Sequence, residues 1–237
     1  ATSNETATVS VDSVSGGDAL ENGTQSVTIT ITDNESAPTV TLSRSAAAID
    51  ENSSSTVTIT ATLSNATYQD VTVSIGASGG TEGTDYATIS DITISAGSTT
   101  GTTSLDPTDD SVYEDDEAVT VTIDGVSGGS ASESGSQSVT ITITENESAP
   151  TITLARSAAS IDENSGSTIT LTATISGVTD SAVTVALDTS GTATEGTDYG
   201  TISDITISAG ATTGTATLDP TDDNIYEGDE TATIDIG

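Results

Sequence analysis

A long internal repeat constrains this chain more than any other feature. The segment "SAPTVTLSRSAAAIDENS" from Ser36 returns as "SAPTITLARSAASIDENS" from Ser148, an offset of 112 residues. Further along, "TEGTDYATISDITISAG" from Thr81 returns as "TEGTDYGTISDITISAG" from Thr194, an offset of 113. A repeat of this length has the size of an ordinary domain, so the chain is expected to fold as copies of one unit.

The repeat predicts three segments. Residues 36–147 form one complete repeat, called the complete repeat below. Residues 1–35 belong to the C-terminal part of a preceding repeat, because "ALENGTQSVTITITDNESAP" parallels "ASESGSQSVTITITENESAP". Residues 148–237 form the N-terminal part of a following repeat, which stops before its last strand. We therefore expect the sequence to be a window on a longer array.

Apolar residues alternate with Thr and Ser inside the repeat, as in "TVTITATL" from Thr56 and "SVTITIT" from Ser138. Alternation with β-branched residues is typical of half-buried strands. About seven such strands, A to G, are separated by Gly-rich or Ser-rich turns. The predicted fold class is all-β, with tandem seven-stranded antiparallel β-sandwich repeats of the immunoglobulin-like type. The segments lie near Thr39, Thr56, Val71, Ile89, Thr102, Val119 and Ser138.

Composition excludes several functions. The chain has 37 acidic residues, only two basic ones and no histidine, for a formal net charge of -35, so nucleic acids and acidic surfaces would repel it. It has no cysteine for disulfides. The common catalytic bases and nucleophiles His, Cys and Lys are missing, so we expect no enzyme activity. No apolar run approaches the roughly 20 residues that span a bilayer, so no direct membrane insertion is expected.

The acidic residues of the complete repeat collect at one end. If successive strands alternate in direction, the A–B, C–D and E–F loops and the exit from strand G share one pole. These loops read "IDENS", "TEGTDY", "DPTDDSVYEDDE" and "TENES". Of the 17 acids in residues 36–147, 13 lie there, and the other four are Asp70, Asp91, Asp124 and Glu133.

Carboxylates crowded in this way either shift their pKa upward or hold a counter-ion. Two arginines cannot neutralise them, whereas calcium takes six to eight oxygen ligands and tolerates irregular geometry. In an extended segment, residues two apart point the same way, so Asp110 and Glu114 can present carboxylates on one side, together with Val112. The sequence therefore predicts calcium sites shared between loops. The alternative is a merely solvated acidic surface.

The segments "GTDY", "SAG" and "DDSVYEDDE", with the acidic triplet at the exit, resemble the Calx-β domain. This calcium-binding sandwich occurs in sodium–calcium exchangers and, in long tandem arrays, in bacterial surface adhesins. The resemblance implies calcium ligands at equivalent positions of each copy. In the complete repeat they are Glu51, Asp85, Asp109, Asp110, the Val112 carbonyl, Glu114, Glu117, Glu145 and Glu147. In the following repeat they are Glu163, Asp198, Asp222, Asp223, Ile225, Glu227 and Glu230, and the preceding repeat retains Glu5, Asp33 and Glu35.

The repeats and the resemblance predict a calcium-rigidified stalk on the outside of a bacterial cell, which extends a distal binding tip. Its partners are then the adjacent repeats of the same chain. An alternative is a subunit of a self-assembling extracellular fibre, in which strands of residues 1–35 complete a neighbour's last repeat. A calcium sensor of the exchanger type would require a further partner domain.

Four tyrosines recur beside the acidic loops, at positions 86, 113, 199 and 226. Because the chain has no Phe or Trp, we expect these rings to pack in a core that is otherwise short of aromatic side chains.

Overall fold

A computed structural model describes residues 4–237, in which the regular elements are β-strands and one 3-10 turn. None of the described residues forms a helix long and apolar enough to cross a membrane. The all-β fold class predicted from the alternating pattern is therefore confirmed. The first twelve strands are β1 (Glu5–Ser10), β2 (Ser26–Ile31), β3 (Thr39–Arg44), β4 (Ala48–Asp50), β5 (Val57–Leu63), β6 (Val71–Ser78), β7 (Ile92–Ile94), β8 (Thr100–Leu105), β9 (Val112–Tyr113), β10 (Glu117–Ser127), β11 (Ser132–Glu133) and β12 (Ser138–Thr144).

The chain divides into two compact units. One runs up to Thr108 and also includes Glu117–Thr144. The other comprises Asp109–Asp116 and Glu145–Gly237. The acidic E–F loop of the complete repeat therefore groups with the residues that follow that repeat.

The first unit contains a β-sandwich. One sheet has the order β4-β12-β10-β6-β7 and the other has the order β11-β3-β5-β8. Strand β5 shows why the layers form, because its apolar residues are buried at every second position and its threonines are half-buried between them. The core between the sheets consists of Val, Ile, Leu and Ala side chains from both sheets, with Tyr86 as its aromatic member.

All seven predicted segments of the complete repeat form strands. Strands A to G correspond to β3, β5, β6, β7, β8, β10 and β12. Three short strands were not predicted, namely β9, β4, which pairs in parallel with β12, and β11, which pairs in parallel with β3. With two or three residues each, they are too short to show an alternating pattern.

The second unit repeats this arrangement. Its sheet β13-β14-β19 matches β3-β5-β8 of the first unit. The pairs β16-β18 and β17-β20 correspond to the pairing of β6 with β7 and β10. A second aliphatic core lies between these layers. The strands are β13 (Ile152–Arg156), β14 (Ile169–Ile175), β15 (Val178–Thr179), β16 (Val183–Val185), β17 (Leu187–Gly191), β18 (Ile205–Ile207), β19 (Thr213–Leu218) and β20 (Ala232–Ile236), and the 3-10 turn is Glu163–Ser165.

The four tyrosines do not all pack in a core. Tyr86 and Tyr199 are buried, as expected, and belong to the first and second core. Tyr113 is half-buried. The prediction is wrong for Tyr226, which is 98% exposed.

Gly101 on β8 marks a place where the two sheets of the first unit approach each other. A Cβ atom there would lie 2.6 Å from the Thr93 carbonyl oxygen and 2.8 Å from an Ile92 methyl carbon, both on β7 of the opposite sheet. Gly214 of the second unit meets its β18 neighbours in the same way, with 2.4 Å to the Thr206 carbonyl oxygen. Glycine is therefore required at positions 101 and 214, because an added Cβ at either position would clash with the opposite sheet.

We expect Gly101→Ala to lower the free energy of unfolding by about 1–3 kcal/mol, because a methyl group would force β7 and β8 apart. Equilibrium denaturation of the full chain measures this change. The matched control is Gly125→Ala, where no atom lies within 4 Å of the added Cβ. Equal losses of stability in the two variants would contradict this account.

Candidate metal centre

The C–D and E–F loops of the complete repeat are joined through their backbones. Ala87 N donates to the Asp106 carbonyl at 2.9 Å, and Thr108 N donates to the Asp85 carbonyl at 3.0 Å. These two hydrogen bonds fix the start of the acidic E–F loop against the "GTDY" segment. The matching pairs in the following repeat are Gly200 with Asp219 and Thr221 with Asp198, each at 2.9 Å.

The aspartate of the "GTDY" segment is held in one orientation in both copies. Thr81 N donates to Asp85 Oδ2, and Thr194 N donates to Asp198 Oδ2 at 2.6 Å. A hydrogen bond to one carboxylate oxygen limits rotation of the side chain. The aspartate is thereby positioned beside the E–F loop by its own turn.

Three predicted ligands of the following repeat come together in the second unit. Carboxylate oxygens of Asp198, Glu227 and Glu230 lie within 4.8 Å of one another. Asp198 is half-buried and the two glutamates are exposed. Such a group of oxygen ligands on separate loops has the chemistry of a site for a hard divalent cation.

The glutamates of this cluster are electrostatically strained. Desolvation, followed by the charges of Asp198, Asp223 and Glu163, raises the pKa of Glu227 above its ordinary value. Desolvation, the charge and hydrogen bond of Asp198, and the charge of Glu227 raise the pKa of Glu230. Because these pKa values are raised on folding, the stability contributed by the protonated carboxyls is present at acidic pH. It is lost as the pH rises through the raised pKa values.

The E–F loops start with the same local turn in both copies. Val112 N donates to Asp110 Oδ1 and Ile225 N donates to Asp223 Oδ1, each at 2.7 Å. One oxygen of the Asp110 side chain thus accepts a hydrogen bond from the loop backbone. In the second unit Asp223 N also donates to Glu163 Oε1 at 2.7 Å, which brings a third loop to the acidic pole.

Glu145 organises a second group of carboxylates. Its Oε2 accepts from Glu114 N at 2.5 Å and its Oε1 accepts from Glu147 N at 2.6 Å. Glu145 N in turn donates to Asp116 Oδ1 at 3.0 Å. Asp116 is missing from the ligand set implied by the resemblance, and its only signal in the sequence is its place in the acidic run "EDDE".

Partial desolvation opposes ionisation of Glu145, but the backbone hydrogen bonds from Glu147 and Glu114 outweigh it and lower the pKa of this carboxyl. Its contribution to stability is therefore present above the ordinary glutamate pKa. It is lost as the pH falls through the lowered value. Glu145 is built to stay ionised, as a cation ligand must be.

The other predicted ligands lie at several places in the loops and strands. Glu51 is buried, and its backbone N donates to the Thr144 carbonyl at 3.0 Å, next to the exit from β12. Glu117 begins β10 and Glu5 begins β1. The remaining positions lie in loops: Asp109 and Asp222 are exposed in their E–F loops, and Asp33 Oδ1 accepts from Glu35 N at 3.2 Å.

We expect Asp198→Asn to lower the pKa values of Glu227 and Glu230, because it removes a charge that raises both. Carbon-13 NMR titration of the side-chain carboxyls, with chelator present, measures these values. Asp188→Asn serves as the control, since Asp188 lies on β17 outside the cluster. Unchanged titration of both glutamates in Asp198→Asn would show that the three carboxylates do not interact in solution.

Two sequence families match this chain. The LapA domain family matches residues 36–146 and the Calx-beta domain family matches residues 145–237. No curated protein matches the sequence. In sequence, the two matched segments are copies of the same repeat.

Solved structures similar to this chain include two Calx fragments and invasin. The apo-form Calx CBD1 domain is 16% identical, with a TM-score of 0.38, over 46% of this chain and 99% of that one. CBD12 from CALX1.2 is 18% identical, with a TM-score of 0.39, and the match covers 76% of this chain and 74% of that one. Invasin, a bacterial integrin-binding protein, is 20% identical, with a TM-score of 0.30, and the match covers 92% of this chain and 41% of that one.

These structural similarities are too distant to assign a function. The family match rests instead on the sequence of residues 145–237, which includes the "GTDY" segment and the acidic E–F loop of the following repeat. The resemblance drawn from those motifs is confirmed. Over residues 145–237, this chain is therefore similar to the Calx-beta domain family.

Proposed function

We propose that this chain is a calcium-binding structural part of an extracellular adhesin-like protein, and that calcium stiffens its repeats into a stalk that extends a distal binding tip. The observation that carries the proposal is the cluster of Asp198, Glu227 and Glu230, whose oxygens lie within 4.8 Å of one another. The Calx-beta family match of the same residues supports it. A bacterial cell surface is the proposed location.

The chemistry of the cluster fits calcium. Its donors are all carboxylate oxygens, which is the ligand type that hard cations prefer. The whole chain offers two arginines against 37 acidic residues, so side-chain cations cannot neutralise the pole. Asp198, Glu227 and Glu230 would hold the ion, with Glu163 and Asp223 close enough to affect Glu227 electrostatically.

The same role is proposed for the other predicted ligands. In the complete repeat, the Glu145 carboxylate accepts hydrogen bonds from the backbones of Glu114 and Glu147, which orient it and lower its pKa. A cation there would add to interactions that hold the E–F loop. The full set proposed for this repeat is Glu51, Asp85, Asp109, Asp110, the Val112 carbonyl, Glu114, Glu117, Glu145 and Glu147, with Glu5, Asp33 and Glu35 as the set of the preceding repeat.

The proposed stiffening of the repeats by calcium rests on the unit to which the acidic E–F loop belongs. Residues Asp109–Asp116 lie between β8 and β10 in the chain but group with the second unit. A cation bound to this loop would therefore restrain the chain where one repeat meets the next. Without the cation, the repulsion among carboxylates favours a more mobile junction.

Calcium is expected to stabilise the full chain. Extracellular calcium modules have dissociation constants of roughly 10⁻⁴–10⁻³ M, so 10 mM calcium should add about 1–3 kcal/mol per site by mass action. Thermal unfolding with chelator, with calcium and with magnesium measures the shift. A magnesium response equal to that of calcium would contradict a calcium-selective site.

The stabilisation should depend on the cluster. We expect Asp198→Asn combined with Glu230→Gln to reduce the calcium-induced rise in the unfolding midpoint, because two of the three clustered carboxylates are lost. Asp188→Asn combined with Asp235→Asn removes the same charge from paired strands of the same unit and should keep the full rise. If both double variants responded alike, the ion would be held elsewhere or only by the general charge.

Calcium should also narrow the range of distances between repeats. Nitroxide labels at Thr102→Cys and Thr215→Cys occupy matching exposed positions on β8 and β19, and the natural chain has no cysteine. Pulsed electron paramagnetic resonance gives the distance distribution with chelator and with calcium. Equal widths in the two conditions would reject the stalk mechanism even if calcium raises stability.

A second candidate function is a subunit of an extracellular fibre, and the hairpin β1–β2 favours it. Val27, Ile29 and Ile31 on β2 are each more than half exposed. Their counterparts in the complete repeat include Ile141 and Ile143 on β12, which are buried in its core. The hairpin thus presents an apolar face that strands from a neighbouring copy could cover.

Sedimentation equilibrium over a wide concentration range separates the two candidates. A fibre subunit should form concentration-dependent polymers, and Ile29→Thr should weaken them because it makes the apolar face more polar. A chain that stays monomeric throughout would reject the fibre.

A further inference from the structure

The two-residue strand β9 lies within the acidic E–F loop of the complete repeat and pairs with the following repeat. Val112 pairs in parallel with Val178, and Tyr113 pairs with Thr179. Asp180 N donates to the Tyr113 carbonyl at 3.4 Å. The E–F loop of one repeat thus contacts the B–C loop of the next through backbone pairing.

The equivalent segment of the following repeat is exposed. Ile225 and Tyr226 match Val112 and Tyr113 in sequence, but they are 67% and 98% exposed, whereas Val112 and Tyr113 are half-buried. Their loop already has the same starting turn, since Asp223 Oδ1 accepts from Ile225 N as Asp110 Oδ1 does from Val112 N. The exposed segment Ile225–Tyr226 therefore follows the same hydrogen-bonded turn as the paired segment Val112–Tyr113.

The B–C loop that pairs with β9 has a counterpart with the same hydrogen bonds in the complete repeat. In the following repeat, Thr179 is buried, its Oγ1 donates to the Ser181 carbonyl, and its carbonyl accepts from Gly210 N. In the complete repeat, Thr67 is buried in the matching turn. Its Oγ1 donates to the Gln69 carbonyl at 2.5 Å and its carbonyl accepts from Gly97 N at 2.7 Å. Ala66, the match of the half-buried Val178, is exposed.

We propose that Ile225–Tyr226 is a docking strand, which pairs in parallel with Ala66–Thr67 in the B–C loop of a second copy of this chain. The register follows from the internal pair, with Ile225 opposite Ala66 and Tyr226 opposite Thr67. Tyr68 N then takes the place of Asp180 N and donates to the Tyr226 carbonyl. The pairing extends the contact between β9 and β15 to a further copy of the repeat, and it is independent of the calcium proposal.

Such a contact is weak between separate molecules. Two residues bury far less surface than the roughly 1,200 Å² at the low end of stable interfaces. Within one chain, a linked neighbour is present at an effective concentration in the millimolar range, which makes the same contact productive. The contact therefore sets the register between neighbouring repeats and needs a method that detects brief encounters.

Intermolecular paramagnetic relaxation enhancement provides the test. A nitroxide is attached through Gly228→Cys, where an added Cβ meets no atom within 4 Å. This spin-labelled chain, which contains no nitrogen-15, is mixed at millimolar concentration with the natural chain labelled with nitrogen-15. We expect amide signals of residues 66–69 to lose intensity. The amide signals of residues 178–181 should keep their intensity, because that B–C loop is already paired with β9.

Two variants of the spin-labelled chain identify the contact as strand pairing. Tyr226→Pro removes a backbone N–H and should abolish the intensity loss. Tyr226→Ala keeps the backbone N–H and should retain it. Because Tyr226 is exposed, neither change touches the core.

The measurement is made with chelator and again with calcium. Selective loss of intensity at residues 66–69 in either condition supports the docking strand. No selective loss in both conditions would overturn it, as would abolition by Tyr226→Ala, which would assign the contact to the aromatic ring. Failure of the calcium proposal would appear separately, as an unfolding midpoint that calcium does not change.

Discussion

Repulsion among carboxylates at the loop pole is the constraint on which the rest of this molecule depends. At neutral pH, Asp198, Glu227 and Glu230 are brought within 4.8 Å of one another by loops that the aliphatic core and backbone hydrogen bonds hold in place. Desolvation raises the pKa values of the two glutamates, and the neighbouring carboxylates raise them further. A fold that holds like charges together is less stable until a cation or a proton joins them.

The sandwich withstands this repulsion because most of its core side chains come from the strands rather than from the loops. In the first unit, β5 buries every second side chain, and Gly101 allows the two sheets to approach closely at one edge. The loop pole is then attached by a few defined hydrogen bonds, such as that from Thr108 N to the Asp85 carbonyl. The core side chains and the acidic loops thus occupy different parts of the structure, so a change in the loops need not unfold the core.

The sequence predicts most of the fold and part of the site. Alternation of β-branched residues with threonine identifies the strands, since the pattern reflects burial on one face. It misses β4 and β9, because pairing of two or three residues is decided by tertiary contacts rather than by local pattern. The acidic motifs identify Asp198, Glu227 and Glu230, which the structure brings together. They do not reveal that Asp110 turns back onto Val112 N or that Asp116 accepts from Glu145 N, because these depend on the path of the loop backbone.

The E–F loop joins two physical effects that act at different ranges. Strand pairing through Val112 and Tyr113 is directional and fixes which residues meet, but it involves only two residues. Charge neutralisation at the acidic pole is less directional, yet it acts on several carboxylates at once. A junction with the pairing alone would have a defined register but would open readily. A junction with the cation alone would be held together without a defined register. Because both effects would act on the same eleven-residue loop between β8 and β10, the proposed ion would also stabilise the segment that carries the pairing strand.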